Sequence, residues 1–289
     1  MKKRLNSLVL NNPELDAYVS NNFNSLRLKI LFLPLLLLLL IVLFLFTKDA
    51  FSVEAYAYVQ KDLFLYLNSK LSQFPSLQYN LTQLGDVLIL LPFLTLFMVQ
   101  APKFWQSLIT SLIVSAVFSN LFKKIFAVPR PAAMFDQDSF VIIGRTLTGS
   151  NSLPSGHSIA TFTIVASVFF AFMPKKTKLK IAWFLFIFST GLFIALTRVG
   201  VGAHYPLDIV VGSILGYLAA IVGIFITKKF NPWTWLTNKK YYPISIVLFS
   251  VWAIALINKI VAMNLLVFYF SLVSLVATLV IITRIYVKK

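Results

Sequence analysis

Residues 181–227 read IAWFLFIFSTGLFIALTRVGVGAHYPLDIVVGSILGYLAAIVGIFIT. Two apolar runs, Ile181 to Val199 and Leu207 to Thr227, are joined by a short link. Each run is close to the roughly 20 residues that carry a helix across about 30 Å of hydrocarbon. The stretch therefore reads as two membrane spans. Arg198, His204 and Asp208 sit at the ends that face one another. An ionisable side chain costs about 2.5–3.5 kcal/mol at full membrane depth, so residues of this kind at the edge of a span are candidates for function.

Working outward, the same pattern recurs. Further apolar runs cover about Ile30 to Phe46, Leu84 to Val99, Trp105 to Phe122, His157 to Met173, Ile244 to Ile257 and Leu265 to Ile285. The expected fold is an all-α polytopic membrane bundle of about eight spans. Composition agrees: 59% of the 289 residues are hydrophobic and 12% are charged, against about 25% charged in a soluble domain. That excludes a soluble globular protein. The net charge of +17 does not imply nucleic acid, because the basic residues form short clusters between apolar runs and no continuous face. With no cysteine, disulfides, thiolate metal sites and cysteine nucleophiles are excluded.

The positive-inside rule orients the chain. A cytoplasmic N-terminus gathers Lys2, Lys3, Arg4, Arg27, Lys29, Lys103, Lys175, Lys176, Lys178 and Lys180 on that side. Lys228, Lys229, Lys239, Lys240, Arg284, Lys288 and Lys289 join them, so both termini are expected in the cytoplasm. Ala55-Tyr56-Ala57 has the small-x-small form of a signal-peptide cleavage site. It lies well beyond the end of the first apolar run, so that run is read as an uncleaved anchor. Phe51 to Leu71 suits a helix lying in the interface. Trp233, Trp235, Tyr241 and Tyr242 suit an aromatic belt.

Three segments of the opposite, outer face carry the candidate chemistry. The first is Lys123, six residues, Arg130 and Pro131. An ammonium and a planar guanidinium fork suit the several oxygens of a phosphoryl group, although Lys and Arg also snorkel at helix ends. The second is Pro154-Ser155-Gly156-His157 before an apolar run. Ser155 reads as a helix N-cap, and a helix start with free amides is also an anion site. There Gly156 admits close approach and His157 could donate a proton. The third is Arg198, five residues, His204, three residues and Asp208. Pro206 can start a helix, which puts Asp208 one turn beyond His204. A carboxylate there can fix the imidazole tautomer and leave the other nitrogen as a nucleophile; the alternative is an Asp that only complements the helix dipole.

All three segments fall on one side of the predicted topology. Together they hold cations for phosphate, a His held by an Asp, and a second His able to act as general acid, which is a set for phosphoryl transfer through a phosphohistidine. The outer acids Asp49, Glu54, Asp62, Asp86, Asp136 and Asp138 are scattered. No Mg²⁺ site, metal or other cofactor is expected.

These residues resemble the type 2 phosphatidic acid phosphatase superfamily, whose membrane branch is related to vanadium haloperoxidases and bacterial acid phosphatases. Its motifs K-x6-R-P, P-S-G-H and S-R-x5-H-x3-D are matched by Lys123, Arg130 and Pro131, by Pro154 to His157, and by Arg198, His204 and Asp208. Thr197 stands where the family has Ser. The resemblance implies that His204 attacks phosphorus, Asp208 orients it and His157 protonates the leaving oxygen. Lys123, Arg130, Ser155, Gly156 and Arg198 would hold the phosphate.

It also implies a six-helix phosphatase core within residues 30–227, after a cytoplasmic segment 1–29 and before two additional spans in 228–289. The expected substrate is a membrane lipid phosphate or diphosphate: undecaprenyl diphosphate, phosphatidylglycerol phosphate, phosphatidic acid or a lipid A phosphate. The expected place is a bacterial inner membrane, with the site facing the periplasm. A lipid phosphotransferase on the same site and a non-catalytic anion-binding transporter are the alternatives. The segment 132–153 is rich in donors, among them Ser139, Arg145, Thr146, Thr148, Ser150 and Ser152. It is expected above the pocket, near the substrate headgroup.

Overall fold

In a computed structural model, which describes residues 12–288, the chain is built from helices, with no strand among the described residues. They are α1 (Pro13–Asn24), α2 (Phe32–Thr47), α3 (Val53–Tyr58), α4 (Lys61–Leu71), α5 (Pro75–Gln83), α6 (Val87–Leu90), α7 (Phe97–Gln100), α8 (Pro102–Phe126), α9 (Pro131–Met134), α10 (Gly156–Ala171), α11 (Thr177–Gly200), α12 (Pro206–Phe230), α13 (Tyr242–Met263) and α14 (Leu266–Val287). Lys2, Lys3, Arg4 and Lys289 lie outside the described residues. The chain is an integral membrane protein. Among the described residues, six helical stretches are long and apolar enough to cross a bilayer: α2 with its leading turn, α8, α11, α12, α13 and α14.

The expected count of about eight spans is not confirmed, because two of the apolar runs form no helix of that length. The run from His157 to Met173 forms α10, apolar but only 16 residues long. It needs little lipid-facing length because most of it is buried inside the bundle. The run from Leu84 to Val99 is not one helix: α6, a 3-10 turn over Leu91–Leu94 and α7 follow one another. Pro92 is the cause. It has no N–H to donate and its ring displaces the carbonyl four residues back, that of Leu88.

The backbone groups that this break releases are collected by α13 and α14. Trp252 Nε1 donates to Leu88 O at 2.9 Å, and Ser271 Oγ donates to Ile89 O at 3.0 Å. Pro92 O accepts from Ser274 Oγ at 3.1 Å, while the Thr95 and Thr278 hydroxyls meet at 2.8 Å. Unpaired polar backbone is costly in hydrocarbon unless neighbouring protein satisfies it. The C-terminal pair of spans makes a broken segment tolerable in the membrane.

The centre of the bundle is α12 wedged against α10 and α8. A methyl group on Gly216 would lie 2.3 Å from Ile159 O, and one on Gly223 would lie 2.3 Å from Ser111 Oγ. Small residues of this kind let helix backbones approach in a membrane. The close approach is then cross-linked: Thr163 Oγ1 donates to Gly216 O and Ser111 Oγ to Ala220 O, both at 3.2 Å.

Each end of this trio is clasped by a polar helix. At the end away from the histidines, Asn22 and Tyr18 of α1 donate to the terminal carbonyls of α10 and the loop after it, Ala171 O and Met173 O, while Asp16 accepts from Lys103 N at the start of α8. Helix termini leave such groups unsatisfied. At the histidine end, α3 to α5 do the equivalent. Asn68 Nδ2 reaches Val199 O and Gly200 O at the end of α11, and Gln60 Oε1 accepts from Leu207 N at the start of α12. The stretch Phe51 to Leu71 is therefore two helices closing the bundle, with Tyr56 and Ala57 buried, and not one helix resting at an interface.

Candidate active site

The turn between α11 and α12 builds the centre of the site. Ala203 N and His204 N both donate to Arg198 O, at 3.0 and 3.2 Å, so the chain folds back over the end of α11. Pro206 then starts α12, and Asp208 in its first turn accepts from Tyr205 N at 3.0 Å. His204 and Asp208 are fully buried side by side, Nδ1 to Oδ2 3.3 Å.

The donors around His204 fix its tautomer. Arg130 Nη1 lies 3.2 Å from Nε2, and a guanidinium can only donate. Nε2 therefore presents its lone pair, and the ring proton sits on Nδ1 toward Asp208. Burial, followed by the charges of Arg130, Arg198, Lys123 and His157, holds the His204 pKa well below the ordinary imidazole value. The ring is neutral at pH 7, with its unprotonated nitrogen on the cationic side of the pocket.

Arg130 is positioned at three points: Nε on Asn151 Oδ1 at 2.7 Å, Nη1 on Ala203 O at 3.1 Å, and its own N–H on Gly149 O at 3.1 Å. Arg198 donates through Nη1 to Thr82 Oγ1 at 2.7 Å, while its buried Nε has no protein acceptor. Lys123 Nζ lies where a Gly156 methyl group would be 3.1 Å from it, so the glycine gives the lysine room to lie against this backbone. The amides of Gly156 and His157 open α10 and have no intrahelical acceptor. Ser155 is completely buried and acts as the N-cap, accepting from Ser158 N at 3.3 Å and Ser158 Oγ at 3.0 Å. What it retains for an anion is its hydroxyl hydrogen. Thr197 turns its hydroxyl onto Ile194 O of its own helix. The Ser-to-Thr departure thus places a hydroxyl in the helix and not on the pocket.

All eight residues singled out in the sequence converge at this end of the bundle. Others there are not site candidates in the sequence, although Ser152 is named among the donors of segment 132–153. Tyr56 Oη donates to Asp208 Oδ1 at 2.9 Å, and Ser152 Oγ to Asp208 Oδ2 at 2.6 Å. Asn151 and Thr82 orient the two arginines. The segment 132–153 thus does two jobs: Asn151 and Ser152 are built into the site, whereas Arg145, Thr146, Thr148 and Ser150 remain exposed. Among the described residues, no three His, Asp or Glu side chains are grouped as metal ligands.

Residues 104–232 match the PAP2 superfamily. The chain is thus similar to this superfamily over the stretch that holds all three motifs. Its relatives include a lipid A 1-phosphatase of Rhizobium etli, 30% identical over 143 residues that cover 47% of this chain and 58% of the relative. Another is the bacitracin transport permease protein BcrC of Bacillus licheniformis, 35% identical over 81 residues, 28% of this chain and 36% of that one. The chain spans less than two thirds of the length of these relatives. The crystal structure of Aquifex aeolicus LpxE is similar at a TM-score of 0.47 and 24% identity, covering 58% of this chain and 95% of that one. Tyr56 and Thr82 fall outside the stretch matched to the PAP2 superfamily. No motif of the superfamily could have pointed to them.

Proposed function

We propose that the protein is a phosphatase acting on phosphate or diphosphate esters of membrane lipids, through a phosphohistidine. The observation that carries this reading is the placement of His204, with Nε2 3.2 Å from a guanidinium that can only donate and Nδ1 3.3 Å from the buried Asp208 Oδ2. Nε2 attacks phosphorus, while Asp208 stabilises the imidazolium that forms. Arg130, Arg198, Lys123 and the α10 amides stabilise the charge on the phosphoryl oxygens. His157 protonates the leaving oxygen, then accepts a proton from the water that releases inorganic phosphate.

The name of one relative, a lipid A 1-phosphatase, is in keeping with a lipid phosphate substrate. The basic clusters on the far ends of the spans favour cytoplasmic termini and a site on the outer face, the periplasmic face of a bacterial inner membrane.

Phosphate release by the detergent-purified full chain, in EDTA, across lipid mono- and diphosphates, tests the reading. Release by the wild type that vanishes in His204→Ala and is severely reduced in His157→Ala is expected. Transfer of the phosphoryl group to an added acceptor lipid with little free phosphate would replace hydrolase by phosphotransferase. Binding without turnover that survives His204→Ala would leave an anion-binding transporter.

A further inference from the structure

Beyond the three motifs, one of the other cations at this end of the bundle comes from the C-terminal pair of spans. Lys259, in the last turns of α13, holds Asp86 Oδ2 at 3.1 Å, with both side chains about a quarter exposed. Asp86 is itself fixed, because its Oδ1 caps Leu88 N at 2.9 Å. The residue before it, Gly85, is pressed against His157: a methyl group there would come within 2.7 Å of the imidazole. Lys259 and Asp86 therefore lie on the His157 side of the pocket. The charge of Lys259 bears on His157, more weakly than those of Arg198, Lys123 and Arg130.

We infer that Lys259 forms a subsite for a second phosphate, on the leaving-group side, and so selects lipid diphosphates over lipid monophosphates. The inference rests on the proposed reaction. His204 Nε2 bonds to the terminal phosphorus and the bridging P–O bond breaks, its electron pair staying on the bridging oxygen. That oxygen takes the proton of His157. With a monophosphate ester the departing group is a neutral alcohol and has no use for a cation. With a diphosphate it is a lipid monophosphate, which carries negative charge, and an ammonium beside His157 stabilises it as it leaves. Water then cleaves the N–P bond and releases inorganic phosphate. A partly exposed lysine paired with one carboxylate can turn to such a ligand, since ion pairs of this kind are weak. The alternative role is a tie that pins α13 to the segment 84–100.

The experiment compares kcat/KM for a prenyl diphosphate and the matching prenyl monophosphate in the wild type, Lys259→Met, Lys259→Arg and Asp86→Asn. The diphosphate-to-monophosphate ratio should fall about tenfold in Lys259→Met and recover in Lys259→Arg. Asp86→Asn, which keeps the cation and frees it from its partner, should hold or raise the ratio. A ratio unchanged in Lys259→Met, or equal losses on both substrates with a lower Tm in Lys259→Met and Asp86→Asn alike, would overturn the subsite in favour of the tie. Failure of the wild type to cleave either compound would instead refute the phosphatase reading on which the subsite depends.

Discussion

Tyr56 donates its phenolic hydrogen to Asp208 Oδ1 at 2.9 Å across 152 positions of sequence. Burial and the Asp208 charge raise the phenol pKa, so the hydroxyl stays protonated and remains a donor. With Ser152 and Tyr205 N–H it holds Asp208 in the one position from which Oδ2 faces His204 Nδ1. A helix that closes the end of the bundle thereby takes part in aiming the nucleophile.

Tyr56→Phe removes that donor and keeps the ring, which packs edge-on to Tyr205 at 6.3 Å. A hydrogen bond to a charged group is worth about 1.5–3 kcal/mol. The expected result is a kcat lower by about ten- to a hundredfold, with KM for a lipid phosphate nearly unchanged and Tm lowered by only a few degrees. Steady-state kinetics beside thermal unfolding would check it. A rise in KM at constant kcat would place Tyr56 on the substrate.

The pH dependence follows from His204. Its pKa is held below the ordinary value of 6.5, by burial first and Arg130 second. Above its pKa the ring is neutral and attacks; below it, Nε2 is protonated and cannot. Activity should therefore persist as pH falls through 6.5 and decline only further down. Arg130→Gln removes a positive neighbour, so the imidazolium becomes less unfavourable and the acid limb of kcat/KM moves to higher pH. The rate also drops, since a phosphate contact goes with the charge. A limb that stays in place in this variant would show that another group controls it.

The motifs made the chemistry legible because phosphoryl transfer needs particular groups at fixed spacings, and His204 with Asp208 one helical turn away is such a spacing. The groups that aim them were not legible for the opposite reason. Tyr56 and Thr82 act through single hydrogen bonds made after the chain has folded, Ser152 reads in the sequence as a headgroup donor and in the fold donates to Asp208, and a tyrosine in a mixed aromatic stretch carries no mark of its partner. The long helices followed directly from apolar runs, unlike the polar helices α1, α4 and α5. Among the apolar runs the break at Pro92 was the exception. Hydropathy averages over a window in which one proline among leucines hardly registers, yet that proline decides where the backbone can pair. The role of α13 and α14 stayed hidden with it, since it consists of donors to carbonyls that only the break exposes.

Those donors give a stability prediction. Ser271 is fully buried and gives its hydroxyl to Ile89 O. Ser271→Ala leaves the carbonyl short of a donor in an apolar setting, at a cost of about 1–3 kcal/mol. The half-life of activity in detergent should shorten and the onset of aggregation should move to lower temperature, with the initial rate little changed. Ser250→Ala is the control, because that hydroxyl bonds within its own helix, to Ile246 O. Equal effects of the two would remove the C-terminal pair from its place as the partner of the broken segment.

Gly85 offers the sharpest test of His157 as general acid. Its missing side chain is where the imidazole rests: a methyl group would approach Cδ2 to 2.7 Å and Cβ to 2.8 Å. Because Cβ is also involved, rotation of the ring alone does not relieve the clash, and Gly85→Ala must shift the whole residue from the start of α10. General acid catalysis contributes about 10²–10⁴-fold, and it matters most when the leaving oxygen is a poor leaving group. Gly85→Ala should therefore lower kcat on an alkyl phosphate by at least tenfold and on p-nitrophenyl phosphate, whose leaving group needs little protonation, by much less. The same contrast should appear, larger, in His157→Ala. If Gly85→Ala slowed both esters equally while His157→Ala kept the contrast, the glycine would be serving the packing of the turn after α5 against the start of α10 and not the placement of the proton.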